Sequence, residues 1–126
     1  MIVDTDIVIW YMRGSEKARL FIDGLDGFRM SVVSYIELVQ GLRDKAELRE
    51  FRKALHDWQV NILLIDEAIS AKAMLYIEKY HLSHSLTLAD ALIAATAVNH
   101  GMPLHTGSDK HFRMIGGLEV KKFKAL

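Results

Sequence analysis

No cysteine occurs in the 126 residues, which removes disulfides, thiolate nucleophiles and cysteine-based zinc sites together. Proline appears once, at Pro103, and the eight glycines are scattered, so no Pro/Gly/Ser-rich linker, repeat or low-complexity tract divides the chain. Residues 1–126 are therefore read as a single domain. Net charge is also missing: 16 Lys and Arg balance 16 Asp and Glu, so attraction to a polyanion has to come from a local patch. No run approaches the roughly 18 apolar residues of a membrane span, and the first residues lack the basic start and long apolar stretch of a signal peptide. A soluble, cytoplasmic protein is expected.

What is present is apolar material, 51% of the residues, enough for a substantial core in a chain of this length. It is arranged in short β-branched runs ("MIVD", "FRMSVV", "VNILLID", "PLHT", "LEVKKF") alternating with longer helical patterns such as "SEKARLFIDGL", "EAISAKAMLYIEKY" and "TLADALIAATAVNHG". That alternation predicts an α/β fold, a parallel sheet covered by helices on both faces. In Lys45 to Trp58, Leu48, Phe51, Leu55 and Trp58 form a helical stripe. "IVIWYM" fits either a continued strand or the buried start of a helix.

Into this apolar pattern acids are set at matching places. Asp4 lies at the end of the first strand, with Asp6 two residues on. Three tetrapeptides, "SYIE" (Ser34 to Glu37), "TLAD" (Thr87 to Asp90) and "TGSD" (Thr106 to Asp109), each put an acid three residues after a hydroxyl. The plain explanation is the capping box, in which both side chains satisfy free N–H groups at a helix start. In a parallel sheet, however, the strands' carboxyl ends share one edge, and Asp4, Glu37, Asp90 and Asp109 would converge there. Two carboxylates about 6 Å apart repel by roughly 3 kcal/mol at an effective dielectric of 20, against about 1 kcal/mol for a cap. Such a cluster binds a cation or keeps some carboxyls protonated. With oxygen ligands and no thiol, the fitting ion is Mg²⁺ or Mn²⁺, and the chemistry such a site does well is phosphodiester hydrolysis.

The opening "MIVDTDIVIWYMRG", "SVVSYIELVQGL", "LTLADALIAATAVNHGMPLHT" and "HFRMIGGLEVKKF" resemble, in order and spacing, the motifs of PIN-domain nucleases, in particular VapC-type toxins. The resemblance covers essentially the whole chain. It implies a three-layer α/β/α fold with a central, mainly parallel sheet of 4 to 5 strands, and it makes "DIVIWYM" the first helix. It further implies a Mg²⁺-dependent endoribonuclease, the toxin of a VapBC-like pair, with a homodimer, an RNA substrate and a VapB-like antitoxin as partners. Asp4, Glu37 and Asp90 match the family's metal-binding acids, Asp6 a supporting position, and Thr106 the start of the last active-site loop. That loop departs from the family pattern: Ser108 stands where an acid or amide is usual, with Asp109 one step later, so either residue is a candidate for the last site position.

Other readings compete. A non-catalytic PIN-like scaffold with an RNA surface fits the altered loop. A phospho-receiver module would make Asp66 the phosphoacceptor, with Asp4, Asp6 and Lys121 as its other groups. Of the six histidines, His81 and His84 read as a polar helix end, while His105 and His111 flank the expected acidic edge. Arg13, Lys17, Arg43, Lys45, Lys110 and Arg113 are candidates for an RNA backbone. Trp10, Tyr11 and Phe21 are read as core with a share at an interface.

Overall fold

The computed structural model describes residues 1–125. The chain runs β1 (Ile2–Val3), α1 (Thr5–Met12), α2 (Glu16–Asp23), β2 (Phe28–Ser31), α3 (Val32–Gln40) and α4 (Lys45–Asp57). It continues through β3 (Val60–Leu63), α5 (Glu67–His84), α6 (Leu88–Asn99), β4 (Leu104–Thr106), a 3₁₀ turn (Asp109–His111) and β5 (Val120–Lys122). The five strands form one sheet in the order β3-β2-β1-β4-β5, with every pairing parallel. The expected three-layer α/β/α arrangement is therefore present, with the sheet at the upper end of its predicted size.

Alternation of side chains along a strand builds the two outer layers. Ile2 points to one face, where it packs with Ile69 and Ala73 of α5, Ile93 and Ala97 of α6, Leu104 and Phe112. Its neighbour Val3 points to the other, joining Ile7 and Val8 of α1, Ile22 of α2, Leu38 of α3 and Phe51 of α4. Fully burying each such aliphatic side chain contributes about 2 kcal/mol. The helical stripe of Lys45 to Trp58 is α4, with Phe51 buried and Trp58 at its C-cap. "DIVIWYM" is helical, as the family resemblance implies.

One expectation fails. Ser34 does not begin a helix: α3 starts at Val32, and its cap is Ser31, whose Oγ accepts from Val33 N at 3.1 Å. Strand β2 runs straight into the helix without a loop, so "SYIE" lies inside α3, and Ser34 and Glu37 share one helical face at i, i+3. "TLAD" is a real cap, Thr87 Oγ1 accepting from Asp90 N at 3.2 Å. "TGSD" is not: Ser108 precedes the 3₁₀ turn without a side-chain cap bond.

Candidate active site

β1 sits at the centre of the sheet, and the chain extends to β2 on one side and returns to β4 on the other. The carboxyl ends of β1 and β4 therefore flank the point where strand order reverses, the place where open α/β sheets hold ligands. Asp4 follows β1 there. Its Oδ1 accepts from Thr5 N at 2.8 Å and caps α1, and its Oδ2 accepts from Thr106 Oγ1 at 2.7 Å across the reversal.

Asp6, one residue into α1, faces the same loop from the other side. Its Oδ2 accepts from Gly107 N at 3.0 Å and from Ser108 Oγ at 3.0 Å. Ser108 N in turn donates to Thr106 Oγ1 at 3.0 Å. Asp6 thus holds the segment after β4, which gives its supporting position a definite task, and it does not receive the Thr5 N–H. Asp4 receives the Thr5 N–H instead.

Glu37 is brought in from α3. Its Oε1 accepts from Thr5 Oγ1 at 2.8 Å, and Thr5 Oγ1 also lies 2.7 Å from Ser34 Oγ. Asp90 enters from the first turn of α6, with His111 Nδ1 at 3.4 Å from its Oδ2.

The charges of these groups are felt across the pocket. Burial first, and then the neighbouring Asp6 and Asp90 charges, push the Asp4 carboxyl up to about 7, against the lowering effect of its bonds to Thr106 and Thr5. Burial also raises Asp6, opposed by its bonds to Ser108 and Gly107. Asp90 is raised by burial, with Glu37 and Asp6 adding to the rise and His111 and Thr87 opposing it. Asp4, Asp6, Glu37 and Asp90 therefore share one field that is short of positive charge. Asp6 Oδ1 is buried without a hydrogen-bond partner, which sharpens that deficit.

These donors fit a hard divalent cation: they are all oxygens, they crowd negative charge, and they leave a buried oxygen unanswered. Among the described residues, no three acids or histidines form a finished cage. Mg²⁺ does not require one, since it uses one or two carboxylates and retains several waters.

Asp109 stands apart from this set. It is buried, and its Oδ2, without a regular hydrogen bond, is in ion-pair contact with Arg113, while Lys122 Nζ lies 3.8 Å from Oδ1. Its charge is answered within the β4–β5 segment, whereas Ser108 touches Asp6 directly. Of the two candidates for the last site position, Ser108 is the one joined to the acids.

Sequence reading missed Thr5 and Ser34 as a buried hydroxyl pair. The available signal was the i, i+3 spacing of Ser34 and Glu37, masked by its likeness to a capping box. His105 is not at the acidic edge: its ring packs on Phe21 at 5.4 Å between centroids, and burial lowers its pKa. His81 and His84 close the end of α5, where His81 Nδ1 donates to Leu86 O at 3.0 Å. Asp66 is accounted for as the cap of α5, accepting from Ile69 N at 2.8 Å, and Lys121 pairs with Glu119 at 3.1 Å. The receiver arrangement is thereby overturned, because its phosphoacceptor and its lysine are each committed elsewhere. Two basic candidates for RNA are also engaged, Arg43 with Glu47 at 2.9 Å and Arg113 with Asp109. Tyr11 packs edge-on to Trp58 and Phe21 lies against Phe123, whereas Trp10 is partly exposed.

An all-parallel α/β/α sheet with four carboxylates gathered at its topological switch point defines a class of acidic-site α/β domains. Within that class, the chain belongs to the PIN domain family, whose model matches residues 1–118. No curated protein matches in sequence. Among solved structures, a toxin–antitoxin complex from Klebsiella pneumoniae is 25% identical with a TM-score of 0.74, covering 99% of this chain and 97% of that one. VapBC-1 from nontypeable Haemophilus influenzae is 22% identical with a TM-score of 0.78, covering 96% of each chain. VapBC2 from Rickettsia felis, bound to a DNA fragment from its promoter, is 16% identical with a TM-score of 0.79 and 98% coverage of each chain. The expected PIN fold of VapC-type proteins is thus present along nearly the whole chain.

Proposed function

We propose that this PIN domain is a Mg²⁺-dependent endoribonuclease, the toxin half of a toxin–antitoxin pair. The observation that carries the reading is the convergence of Asp4, Asp6, Glu37 and Asp90 at the switch point, in a field that raises the buried Asp4 carboxyl to about 7. Asp4, Glu37 and Asp90 would hold the cation, with Mn²⁺ an acceptable substitute. Once bound, a divalent ion neutralises charge developing on a phosphodiester and makes water more acidic.

The chain's own part is placement. Asp4 is fixed at both oxygens, so its carboxylate cannot rotate away from the β1–β4 edge. Glu37 faces the pocket from the second turn of α3, held by Thr5. Asp6 clamps Gly107 and Ser108, which keeps Thr106 aligned to donate to Asp4. His111, mostly exposed beside Asp90, lies where a backbone phosphate would enter. The partners of this reading are an antitoxin, supported by the toxin–antitoxin complexes among its structural likenesses, together with an RNA substrate and a second copy of the chain. Its place is the cytoplasm, and no helix among the described residues is long and apolar enough to cross a membrane.

The test incubates antitoxin-free protein with total RNA, with Mg²⁺, with Mn²⁺ and with chelator. Cleavage that requires the ion and disappears in Asp90→Asn is expected. Cleavage persisting in chelator would overturn the metal assignment, and no cleavage under any condition would favour a non-catalytic RNA-binding scaffold.

A further inference from the structure

The Thr5 and Ser34 hydroxyls are buried between α1 and α3, Ser34 completely; they touch each other, and Thr5 also touches Glu37 of α3. Neither serves its own helix: α1 is capped by Asp4 and α3 by Ser31. A hydroxyl carries a single proton. With Thr5 donating to the Glu37 carboxylate at 2.8 Å, the 2.7 Å contact to Ser34 is made by the Ser34 proton donated to Thr5 Oγ1. The three groups form a one-directional chain, Ser34 to Thr5 to Glu37, in which each link settles the orientation of the next.

Two features make this chain more than packing. Ser34 and Glu37 sit one turn apart on the same face of α3, so the helix itself sets their spacing, while Thr5 is contributed by α1, 29 residues away from Ser34 in the chain. Thr5 also lies between the two aspartates, and its own N–H donates to Asp4 Oδ1. A single residue therefore touches Asp4 through its backbone and Glu37 through its side chain. Glu37 has three rotatable bonds and is an exposed residue, and a carboxylate so placed has most to gain from a fixed donor.

We infer that Thr5 and Ser34 are positioning residues: their hydroxyl relay locks the Glu37 carboxylate in the orientation in which it and Asp4 receive a divalent cation together. The inference rests on the proposed reading of Glu37 as a metal-holding acid. Groups that orient ligand carboxylates through hydrogen bonds typically change metal affinity 10- to 100-fold when removed, and a loss of about 10-fold is expected here.

The experiment is a double-mutant cycle read by calorimetric titration of Mn²⁺ into the full chain, without RNA. Thr5→Val, which keeps the shape and deletes the hydroxyl, should weaken Mn²⁺ binding about 10-fold. Ser34→Ala should weaken it less, and Thr5→Ser should restore it. In a Glu37→Gln background, Thr5→Val should have no further effect on affinity. If Thr5→Val weakened Mn²⁺ equally with and without Glu37, or left affinity unchanged, the relay would be overturned while the metal site stood. If the wild-type chain bound no Mn²⁺, the proposed function would fall and the relay with it. Thermal melts of each variant separate a folding defect from a binding defect, and Thr5→Ser supplies a folded control if Thr5→Val is unstable.

Discussion

Asp4 and Asp6 are two residues apart and chemically alike, yet one structure gives them opposite attachments. Asp4 is tied into β1, α1 and β4 and carries the largest electrostatic penalty, while Asp6 ties down a loop. Asp4→Asn keeps acceptor capacity toward Thr5 N and removes the charge. In metal-free buffer at pH 8 this variant should melt higher than the wild type while losing RNA cleavage. The sign follows from Asp4 alone: its carboxyl is raised from 3.8 to about 7, so the folded state holds the proton longer than the unfolded chain. Stability is complete below pH 3.8 and is lost as pH rises through 7, at about 1.4 kcal/mol per pH unit, about 4 kcal/mol as an upper bound. Asp6 and Asp90 are raised as well and act in the same direction. Denaturant melts of both proteins in chelator at pH 4 and pH 8 measure the difference, and equal pH slopes would refute the assignment to Asp4. Asp6→Ala should behave differently, freeing the Gly107 amide to exchange hydrogen faster, with the lost bonds to Gly107 and Ser108 offsetting the relief of removing its charge at pH 8.

At the scale of elements, the junctions decide how the site is held. β2 passes into α3 at Ser31, so Ser31→Ala should cost about 1 kcal/mol as a lost cap, measured by urea unfolding. The loop after β4 is equally constrained. A Cβ at Gly107 would lie 3.0 Å from Asp6 Oδ2 and 3.5 Å from Phe123 O, and Asp6 cannot retreat without giving up Gly107 and Ser108. Gly107→Ala should therefore destabilise the protein by about 1 kcal/mol or more and abolish cleavage. A fully active Gly107→Ala enzyme would show that the Asp6 clamp is dispensable. The helices and strands themselves were legible from apolar periodicity, because burial of one face imposes that period. Helix starts were less so: Ser31 and Ser34 both offer a hydroxyl before an apolar run, and which one caps depends on where the sheet releases the chain.

For the whole molecule, the acidic edge couples folding to cation binding. An ion that binds only the folded state stabilises it by mass action, and it does so best where the carboxyls are ionised. Mg²⁺ should raise the melting temperature at pH 8 and have little effect at pH 5, as followed by calorimetry with and without chelator. A shift of equal size at both pH values would argue against binding at this cluster. On the proposed reading, RNA affinity should fall as salt rises, although the chain as a whole is neutral, as filter binding across a salt series would measure.

The α/β alternation, the parallel sheet and the candidate acids Asp4, Glu37 and Asp90 were all readable from sequence, because period and composition are local properties of the chain. Tertiary structure alone decided which acids meet. Asp4 reaches Thr106 across 102 positions and Asp6 reaches Ser108 across the same span, while Asp109, next in sequence, turns to Arg113 and Lys122. Those choices depend on strand order and on which face each side chain presents. Neither is written in any short segment, so the hydroxyl pair behind Glu37 became visible only when α1 and α3 were packed together.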